Sequence, residues 1–597
     1  MTATTTPGTS ADLHRLFHPR RVAVVGASDT PHRPNTALYR KVKAKVEPEG
    51  AVVFPVNPTR DSLDGVRCYH SLLDIDGDLD LAVVLTGDPV PAVEEAVQKG
   101  VGYVIVFAAG FAEVGTEEGR QAQQRMTELC GPGRTRLMGP NTNANAFEAF
   151  RTDLGGRKLA LITQSGHQGR PVAEGETVGI PMYAWAPLGN EADLECADFI
   201  EYFADVAEVG AITMYIEGFK NGERLRRACE HALERGVPVI CIKVGRTAAG
   251  QDMAMAHTAH LTGEDAVVDA VLAQHGVVRV DGLDELLEIG AMFSRLPAPR
   301  GDGVCVYAIS GGTGAHFSDL AATAGLRMPR LTQETADTLH QWIAWFLRTD
   351  NPVDTGAGPN ADERGRLITD AIVKDPNIDL VIVPITGALP FMAERFVNDL
   401  IAVSEYSPVP IVVIWGSPDA TQPAYQMLLE QQRMPVFRNF QNCIRGVRAY
   451  YDYHGLRTRY RSAFADAMAK PGDAAQTAAT MLASHSGVVP DVDALRILGA
   501  AGIVVAGCEL AGDDAAVEAA ANRLAGANGL VVLKTASADI PHRSEHGLVA
   551  VGVAPKDAVS AAGRLRQHAA QTLPSARLDG VLVCEQVGDG VEVIVGV

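Results

Sequence analysis

His257 stands in a run of mostly small residues, Ala254-Met255-Ala256-His257-Thr258-Ala259-His260-Leu261-Thr262-Gly263, shortly after the apolar segment VPVICIKVG. A neutral imidazole is a nucleophile and titrates near physiological pH, so a histidine in such a loop can accept a phosphoryl group and hand it on. On residue type alone a hydrogen-bonded surface or core histidine is the commoner reading, and the chain has sixteen histidines. Glu217 closes the segment AITMYIEG. A carboxylate bonded to one imidazole nitrogen fixes the tautomer and leaves the other nitrogen to attack. The plainer reading is a solvated carboxylate at a strand end. Three glycine-bearing turns end apolar runs ahead of segments read as helices: Gly26-Ala27-Ser28, Gln164-Ser165-Gly166 and Ser310-Gly311-Gly312-Thr313-Gly314. Backbone N–H groups and the dipole at a helix N-terminus favour anions. For the first turn a tight bend with no ligand is an equal reading, and the full GxGxxG dinucleotide fingerprint is absent.

These residues lie at the ends of short β-branched runs. One set is RVAVVGAS, AVVFPVNP, LDLAVVLTG and GYVIVFAAG; a second is LALITQSG, AITMYIEG and VPVICIKVG; a third is GVCVYAISGG, DLVIVPITG and VPIVVIWG. Such runs, separated by amphipathic segments, read as buried parallel strands covered by helices. Each set makes one doubly wound α/β layer, and ligands bind such layers outside the carboxyl ends of the strands. The turns Val56-Asn57-Pro58, Ala109-Gly110-Phe111 and Gly139-Pro140-Asn141 fall at the same kind of place. Composition marks the joints: a polar bridge at 147–158, a Pro/Gly-rich stretch at 295–303, and an Ala-rich linker or linker helix over 463–485. A fourth region has helical periodicity first and then strands at LVVLKTA, GLVAVGV and GVLVCEQV, an order expected of an α+β domain.

The 597 residues exceed one hydrophobic core and imply roughly three to five domains. Hydrophobic residues make up 47% and charged residues 21%, a globular composition. A net charge of −20 offers no general cationic surface for displacing counterions, which argues against nucleic acid as a partner. The nine cysteines include no CxxC pair and read as buried thiols of a reducing compartment. No signal peptide pattern and no membrane-length apolar run is visible, so a cytoplasmic protein without a membrane partner is expected.

Taken in order, Gly26-Ala27-Ser28, Pro55-Val56-Asn57-Pro58, Gly110-Phe111-Ala112-Glu113 and Gly139-Pro140-Asn141 resemble the CoA-binding domain of nucleoside-diphosphate-forming acyl-CoA synthetases, relatives of succinyl-CoA synthetase. The resemblance continues through Ile162-Thr163-Gln164-Ser165-Gly166, Gly189-Asn190, Tyr215-Ile216-Glu217-Gly218 and Lys243-Val244-Gly245-Arg246. It is sharpest over Ala256–Gly263 and runs on through Asn351-Pro352-Val353-Asp354. Leu533-Lys534 and Ile540-Pro541-His542-Arg543 resemble the start of an ATP-grasp domain.

The resemblance implies a multidomain α/β chain: a Rossmann-like CoA-binding domain over 12–146, a flavodoxin-like domain with the phosphohistidine loop over 157–295, a second flavodoxin-like ligase domain over 302–462, and an incomplete ATP-grasp domain over 486–597. It implies an ADP-forming acid–CoA ligase that interconverts a small carboxylic acid, CoA and ATP with acyl-CoA, ADP and phosphate through acyl phosphate. His257 is then the phosphohistidine and Glu217 its orienting carboxylate. Gln164, Ser165 and Gly166 face Gly311, Gly312 and Thr313 across the phosphate. CoA falls to Gly26, Ala27, Ser28, Val56, Asn57, Pro58 and Asn141, and the nucleotide to Lys534 and Glu585. His542 is assigned as a phosphate ferry or, equally, as a lid residue without a covalent role. Mg²⁺ neutralises the nucleotide phosphates, with no protein ligand assigned.

The sequence departs from the family at three places. Ala256 and Ala259 replace the serine and glycine of Ser-His-Thr-Gly. His167-Gln168-Gly169-Arg170 replaces small apolar residues, and Arg170 is assigned to the substrate carboxylate, with a nearby Asp or Glu as the alternative partner. The final Val591–Val597 resembles the interior of an ATP-grasp lobe, so a fragment or a loss of ATP use is expected. A non-catalytic CoA or acyl-CoA sensor is the alternative to a ligase; an NAD-dependent oxidoreductase is weakened by the missing GxGxxG. The motifs encode neither the acid nor a choice between ADP and GDP, and a homo-oligomer is expected from the paired domains.

Overall fold

The computed structural model describes residues 13–247, 249–250, 264–387, 389–462, 464, 472–485, 489–526, 529–537, 539–540 and 542–588. The chain divides into two compact units, Met1–Tyr460 and Arg461–Val597.

The first unit is built on three five-stranded parallel sheets. The first contains β1 (Arg21–Val25), β2 (Val52–Val56), β5 (Leu81–Val84), β6 (Tyr103–Val106) and β7 (Arg136–Met138) in the order β2-β1-β5-β6-β7. A small hairpin, β3 (Ser62–Leu63) with β4 (Val66–Arg67), interrupts the chain between β2 and β5. The second contains β8 (Lys158–Thr163), β9 (Met182–Pro187), β10 (Val209–Ile216), β11 (Val239–Lys243) and β12 (Val277–Arg279) in the order β9-β8-β10-β11-β12. The third contains β13 (Val304–Ala308), β14 (Val353–Asp354), β15 (Leu380–Ile385), β16 (Ile411–Trp415) and β17 (Val436–Phe437) in the order β14-β13-β15-β16-β17. Apart from the hairpin, all three wind alike: second, first, third, fourth, fifth. The strand order therefore reverses between the first and third strands of each sheet. At that reversal the two flanking connections leave on opposite faces, and a crevice opens at the carboxyl ends.

The strands follow from their sequences. Leu-Ala-Val-Val in β5 and Tyr-Val-Ile-Val in β6 are buried throughout, as parallel strands covered on both faces require. The helices between them end on ordinary signals. Gly222–Arg235 starts where the Asn221 side chain accepts from the backbone of Glu223 and Arg224, and stops at Gly236 in a left-handed conformation. Alternation along β8 divides its side chains between two cores. Ala160 and Ile162 join a cluster with Val22, Val24 and Phe199; Leu159 and Leu161 join another with Val306, Phe317 and Phe440.

The second unit has a four-stranded antiparallel sheet, β18 (Cys508–Ala511), β19 (Val531–Ala536), β20 (Val549–Val553) and β21 (Gly580–Glu585), in the order β18-β21-β19-β20. Val531, Leu533, Val581 and Val583 pack with Val517 and Ala520 of helix Asp514–Leu524 and with Leu565 of helix Ala558–Thr572. Within the Ala-rich stretch, Asp473–Leu482 is helical, and a second helix, Asp491–Ala500, follows.

Three expectations need correction. The helix after Gly26-Ala27-Ser28 begins only at Pro34, whose ring suits a helix start, so no helix N-terminus sits on that turn. After Gln164-Ser165-Gly166 the chain forms one four-residue turn, Arg170–Ala173, then a 3₁₀ segment, Glu174–Val178, followed by Gly179 in a left-handed conformation; Pro171, Gly175 and Gly179 are poor residues for extending a helix. Seven cysteines are buried, but Cys508 and Cys584 are partly exposed. Among the described residues, no helix is long and apolar enough to cross a membrane.

Candidate active site

The order reversal of the second sheet lies between β8 and β10, and Gln164 and Glu217 are the residues that leave those two strands. Their ends are tied by one carboxamide. Gln164 Oε1 accepts from the backbone N–H groups of Glu217 at 2.6 Å and Gly218 at 3.0 Å. Its Nε2 donates to the Gly218 carbonyl and to Glu191 Oε2, each at 2.8 Å. Gln164 is 5% exposed, Glu217 6% and Glu191 3%. Glu191 also accepts from the Cys196 N–H at 2.8 Å, and it adopts a left-handed backbone, φ 52°, uncommon for a side chain of its size. Beside them Lys243 closes β11 with its ammonium donating to the Val244 carbonyl at 2.5 Å; burial holds it below its ordinary pKa. His257 lies outside the described residues.

The carboxyl end of the first sheet is locked in the same way. Gly26 donates to the Val56 carbonyl at 2.9 Å. Asn57 Nδ2 donates to the Ala27 carbonyl at 2.9 Å, and Asn35 Nδ2 reaches the carbonyls of Gly26 and Leu85. Gly26 has φ 79°, and a Cβ there would stand 3.1 Å from Thr86 Cγ2, so this turn is built for glycine. Ser28 Oγ accepts from the Thr30 N–H, and Pro58 is exposed on the adjoining turn.

Hydrogen bonds join the two carboxyl ends. Asn141 donates to Asn190 at 3.2 Å, and Asn190 donates to Glu113 Oε2 at 2.5 Å and to Gln123 at 2.9 Å. Burial raises the Glu113 carboxyl, but the Gly110 N–H, the Asn190 amide and the Phe111 N–H outweigh it and hold the group below the usual range. Asn143 and Asn145 both donate to the Gly166 carbonyl, which fixes the turn carrying Ser165. Gly189 has φ 65°, and a Cβ there would fall 2.2 Å from the Pro140 carbonyl oxygen; only glycine permits this approach.

Arg170 is engaged on three sides. It pairs with Glu148 at 3.2 Å, donates to Asn145 Oδ1 at 2.5 Å, and lies 5.2 Å from the centre of the Trp185 ring. Lys41 holds the other side of Glu148 at 2.8 Å. The nearby-carboxylate alternative is thus the contact present.

At the third sheet's reversal, Gly311 opens the thirteen-residue helix Gly311–Thr323. Ser310 makes no side-chain cap there, so first-turn N–H groups are available to a ligand or water. Thr313 meets Thr386, at the end of β15, with hydroxyls 3.2 Å apart.

In the second unit, Lys534 pairs with Leu582 and Glu585 with Val531 across β19 and β21. Side chains alternate along a strand, so Lys534 and Glu585 project from opposite faces. Glu585 accepts from the Gly507 N–H at 3.2 Å, and the His542 side chain is 72% exposed, 3.8 Å from Glu545. A cavity of about 900 Å³ on this sheet is lined by Asp491, Arg496, Cys508, Ser537 and Arg577 among others. Among the described residues no group of three or more His, Cys, Asp or Glu could hold a metal ion.

Sequence reasoning passed over Glu191, Asn143, Asn145 and Asn35. Glu191 and Asn143 lie in loops, Asn145 in the 3₁₀ segment Ala144–Phe147 and Asn35 in the first turn of helix Pro34–Val46; none carries a periodicity that marks it, and each acts through contacts distant in sequence.

Family models match three segments: a CoA binding domain over residues 20–144, a succinyl-CoA ligase like flavodoxin domain over 156–293, and an ATP-grasp domain over 480–597. The alpha subunit of the ADP-forming acetate–CoA ligase II of Pyrococcus furiosus is 32% identical over 383 residues, covering 62% of this chain and 81% of that relative. The ADP-forming 4-hydroxybutyrate–CoA ligase of Nitrosopumilus maritimus is 26% identical, covering 97% of this chain and 84% of that relative. The acetyl-coenzyme A synthetase 1 of Ca. Korarchaeum cryptofilum, solved with phosphate and ADP, is 25% identical with a TM-score of 0.66, covering 75% of this chain and 98% of that one. With its parallel sheets, their tied carboxyl ends and these matches in hand, the chain belongs to the nucleoside-diphosphate-forming acyl-CoA synthetase (acetate–CoA ligase) family of the succinyl-CoA synthetase superfamily.

Proposed function

We propose that this chain ligates a small carboxylic acid to CoA with ATP, reversibly, through a phosphohistidine at His257 and an acyl phosphate. The observation that carries the reading is the Gln164 carboxamide, which ties Glu217 to the β8 turn at the order reversal of the second sheet. It holds a buried carboxylate where an incoming imidazole would need one.

In the synthetic direction His257 attacks the γ-phosphorus of ATP, and ADP leaves. Glu217 accepts the N–H of the other ring nitrogen, which fixes the tautomer and stabilises the charge that develops on the ring. The acid's carboxylate oxygen then attacks the phosphorus, the P–N bond breaks, and acyl phosphate forms. The CoA sulfur attacks the acyl carbon and phosphate leaves. Gln164, Ser165 and Gly166 hold the phosphoryl group from one side. Gly311, Gly312 and Thr313 hold it from the other, where a true helix N-terminus offers N–H groups. CoA lies along Gly26, Ala27, Ser28, Val56, Asn57, Pro58 and Asn141. Lys534 meets the nucleotide phosphates as a point charge, and Glu585 borders the nucleoside. His542 is either a lid residue, with His257 attacking ATP itself, or a ferry that takes the γ-phosphoryl group from ATP and yields it to His257 as the P–N bond to His542 breaks. Mg²⁺, when bound, would neutralise charge on the nucleotide phosphates; no protein ligand is assigned to it among the described residues. Arg170 receives the acid's carboxylate in exchange for part of its pairing with Glu148. Two relatives act on acetate and 4-hydroxybutyrate, which supports a short-chain acid.

The test is phosphate labelling of the full chain with γ-labelled ATP and Mg²⁺, beside His257→Ala. Acid-labile, base-stable label that disappears in the variant is expected. Label retained in His257→Ala on any residue other than His542 would refute the assignment, and an unchanged rate of label transfer from ATP to His257 in His542→Ala would remove the ferry.

A further inference from the structure

Cys508 and Cys584 are the two partly exposed cysteines of the nine, and they are direct partners across β18 and β21. The ladder fixes what kind of pair they are. The Glu585 N–H bonds to the Gly507 carbonyl at 2.7 Å, one residue beyond them on each strand. That places Cys508 and Cys584 at a non-hydrogen-bonded pair, where Cα atoms lie about 4.5 Å apart and facing side chains come closest. This separation falls within the span of roughly 4.4–6.8 Å that a disulfide bridges. The two sulfurs are 2.7 Å apart as free thiols. Cys508 lines the open cavity of this unit, so a small oxidant has a route in. The sulfur–sulfur hydrogen bond holds the Cys584 thiol below its ordinary value despite burial, and the Lys534 ammonium on the same sheet face adds to this. Thiolate character of this kind marks the cysteine that reacts first.

We propose that Cys508 and Cys584 are a redox-active dithiol that closes to an intramolecular disulfide, fastening edge strand β18 to β21. With a peroxide as oxidant, the Cys584 thiolate attacks one peroxide oxygen, the O–O bond breaks, and Cys584 becomes a sulfenic acid as hydroxide leaves. The Cys508 thiolate then attacks that sulfur, the S–O bond breaks, and a second hydroxide leaves. Taking up the two thiol protons, the sum is two thiols and one peroxide giving one disulfide and two waters, a two-electron oxidation. A dithiol reductant reverses it by exchange.

The test treats the full chain with hydrogen peroxide, removes it, alkylates under denaturing conditions, and maps peptides without reduction. Two of the nine thiols should be lost, one cross-linked peptide pair containing Cys508 and Cys584 should appear, and dithiothreitol should restore both. Cys508→Ser and Cys584→Ser should each abolish that cross-link. Nine thiols retained in the unsubstituted chain, or a bridge joining other cysteines, overturns the proposal. The mapping needs no ligase activity, so its outcome is independent of the proposed reaction.

Discussion

Gln164→Leu should loosen the joint between β8 and β10 by an amount that follows from its contacts. The side chain serves four polar groups: the N–H groups of Glu217 and Gly218, the Gly218 carbonyl and the Glu191 carboxylate. Leucine fills similar space and offers none of them a partner. A buried polar group that loses its partner costs about 1–3 kcal/mol, so the two N–H groups alone represent roughly 2–6 kcal/mol. We expect about 3 kcal/mol, toward the lower end because neighbouring loops can relax. At 1.4 kcal/mol per factor of ten, amide exchange at Glu217 and Gly218 should then accelerate by about 100-fold, read by hydrogen–deuterium exchange on a peptide spanning both. Gln164→Glu separates geometry from charge. It keeps the acceptor for both N–H groups but sets a second carboxylate against Glu191, and two facing carboxylates raise the pKa of one. A carboxyl raised in the fold is best tolerated below its unfolded value near 4.3 and costs more as pH rises through the raised value. Exchange in Gln164→Glu should therefore approach the parent at acidic pH and diverge from it toward alkaline pH, after correction for intrinsic rates. Exchange in Gln164→Leu within about threefold of the parent, or a Gln164→Glu effect flat with pH, would refute the reasoning.

Gly189→Ala forces a side chain into a left-handed backbone and against the Pro140 carbonyl, at a cost of about 2 kcal/mol or more; a lower thermal midpoint and weaker CoA binding by calorimetry should both follow. Glu288 accepts from the Arg438 N–H and the Asn442 amide, yet burial outweighs them and lifts it from 4.5 to about 7. Its contribution is thus complete below 4.5 and lost as pH rises through about 7, so the midpoint of Glu288→Gln relative to the parent should rise over that window in scanning calorimetry. Arg170→Ala should raise the KM for the acid about tenfold if the guanidinium receives the carboxylate; an unchanged KM, in steady-state assays, would leave Arg170 serving only Glu148 and Trp185.

The parallel strands were legible because runs such as Val-Ile-Cys-Ile-Lys in β11 must be apolar on both faces. The strand-end turns were legible because they punctuate those runs. Helix starts were less so: the residues after Gly26 and Gly166 gave the right turn but not the distance to the helix, which Pro34 and Pro171 decide. Lys534 and Glu585 were named together by motif, yet a register that pairs Lys534 with Leu582, 48 positions on, puts them on opposite faces. Cys508 and Cys584 read as scattered thiols because the contact between them spans 76 positions. The Glu113–Asn190 bond, 77 positions apart, has no local signature either.

The alternation along β8 has a further consequence. Ala160 and Ile162 belong to a core shared with the first sheet, and Leu159 and Leu161 to a core shared with the third. The middle sheet is covered by its own helices, Cys196–Asp205 toward one core and Leu283–Arg295 toward the other, and each of those cores continues into a neighbouring segment. Excising the first sheet at the polar bridge would leave β8 under its own helix Cys196–Asp205 but remove Phe17 from the Phe199, Tyr202 and Phe203 rings of that helix and open them to water. Three segments that look like beads on a string are then not three independent folding units. The middle one is a shared wall, and damage to either neighbour should propagate through it as a cooperative loss of order.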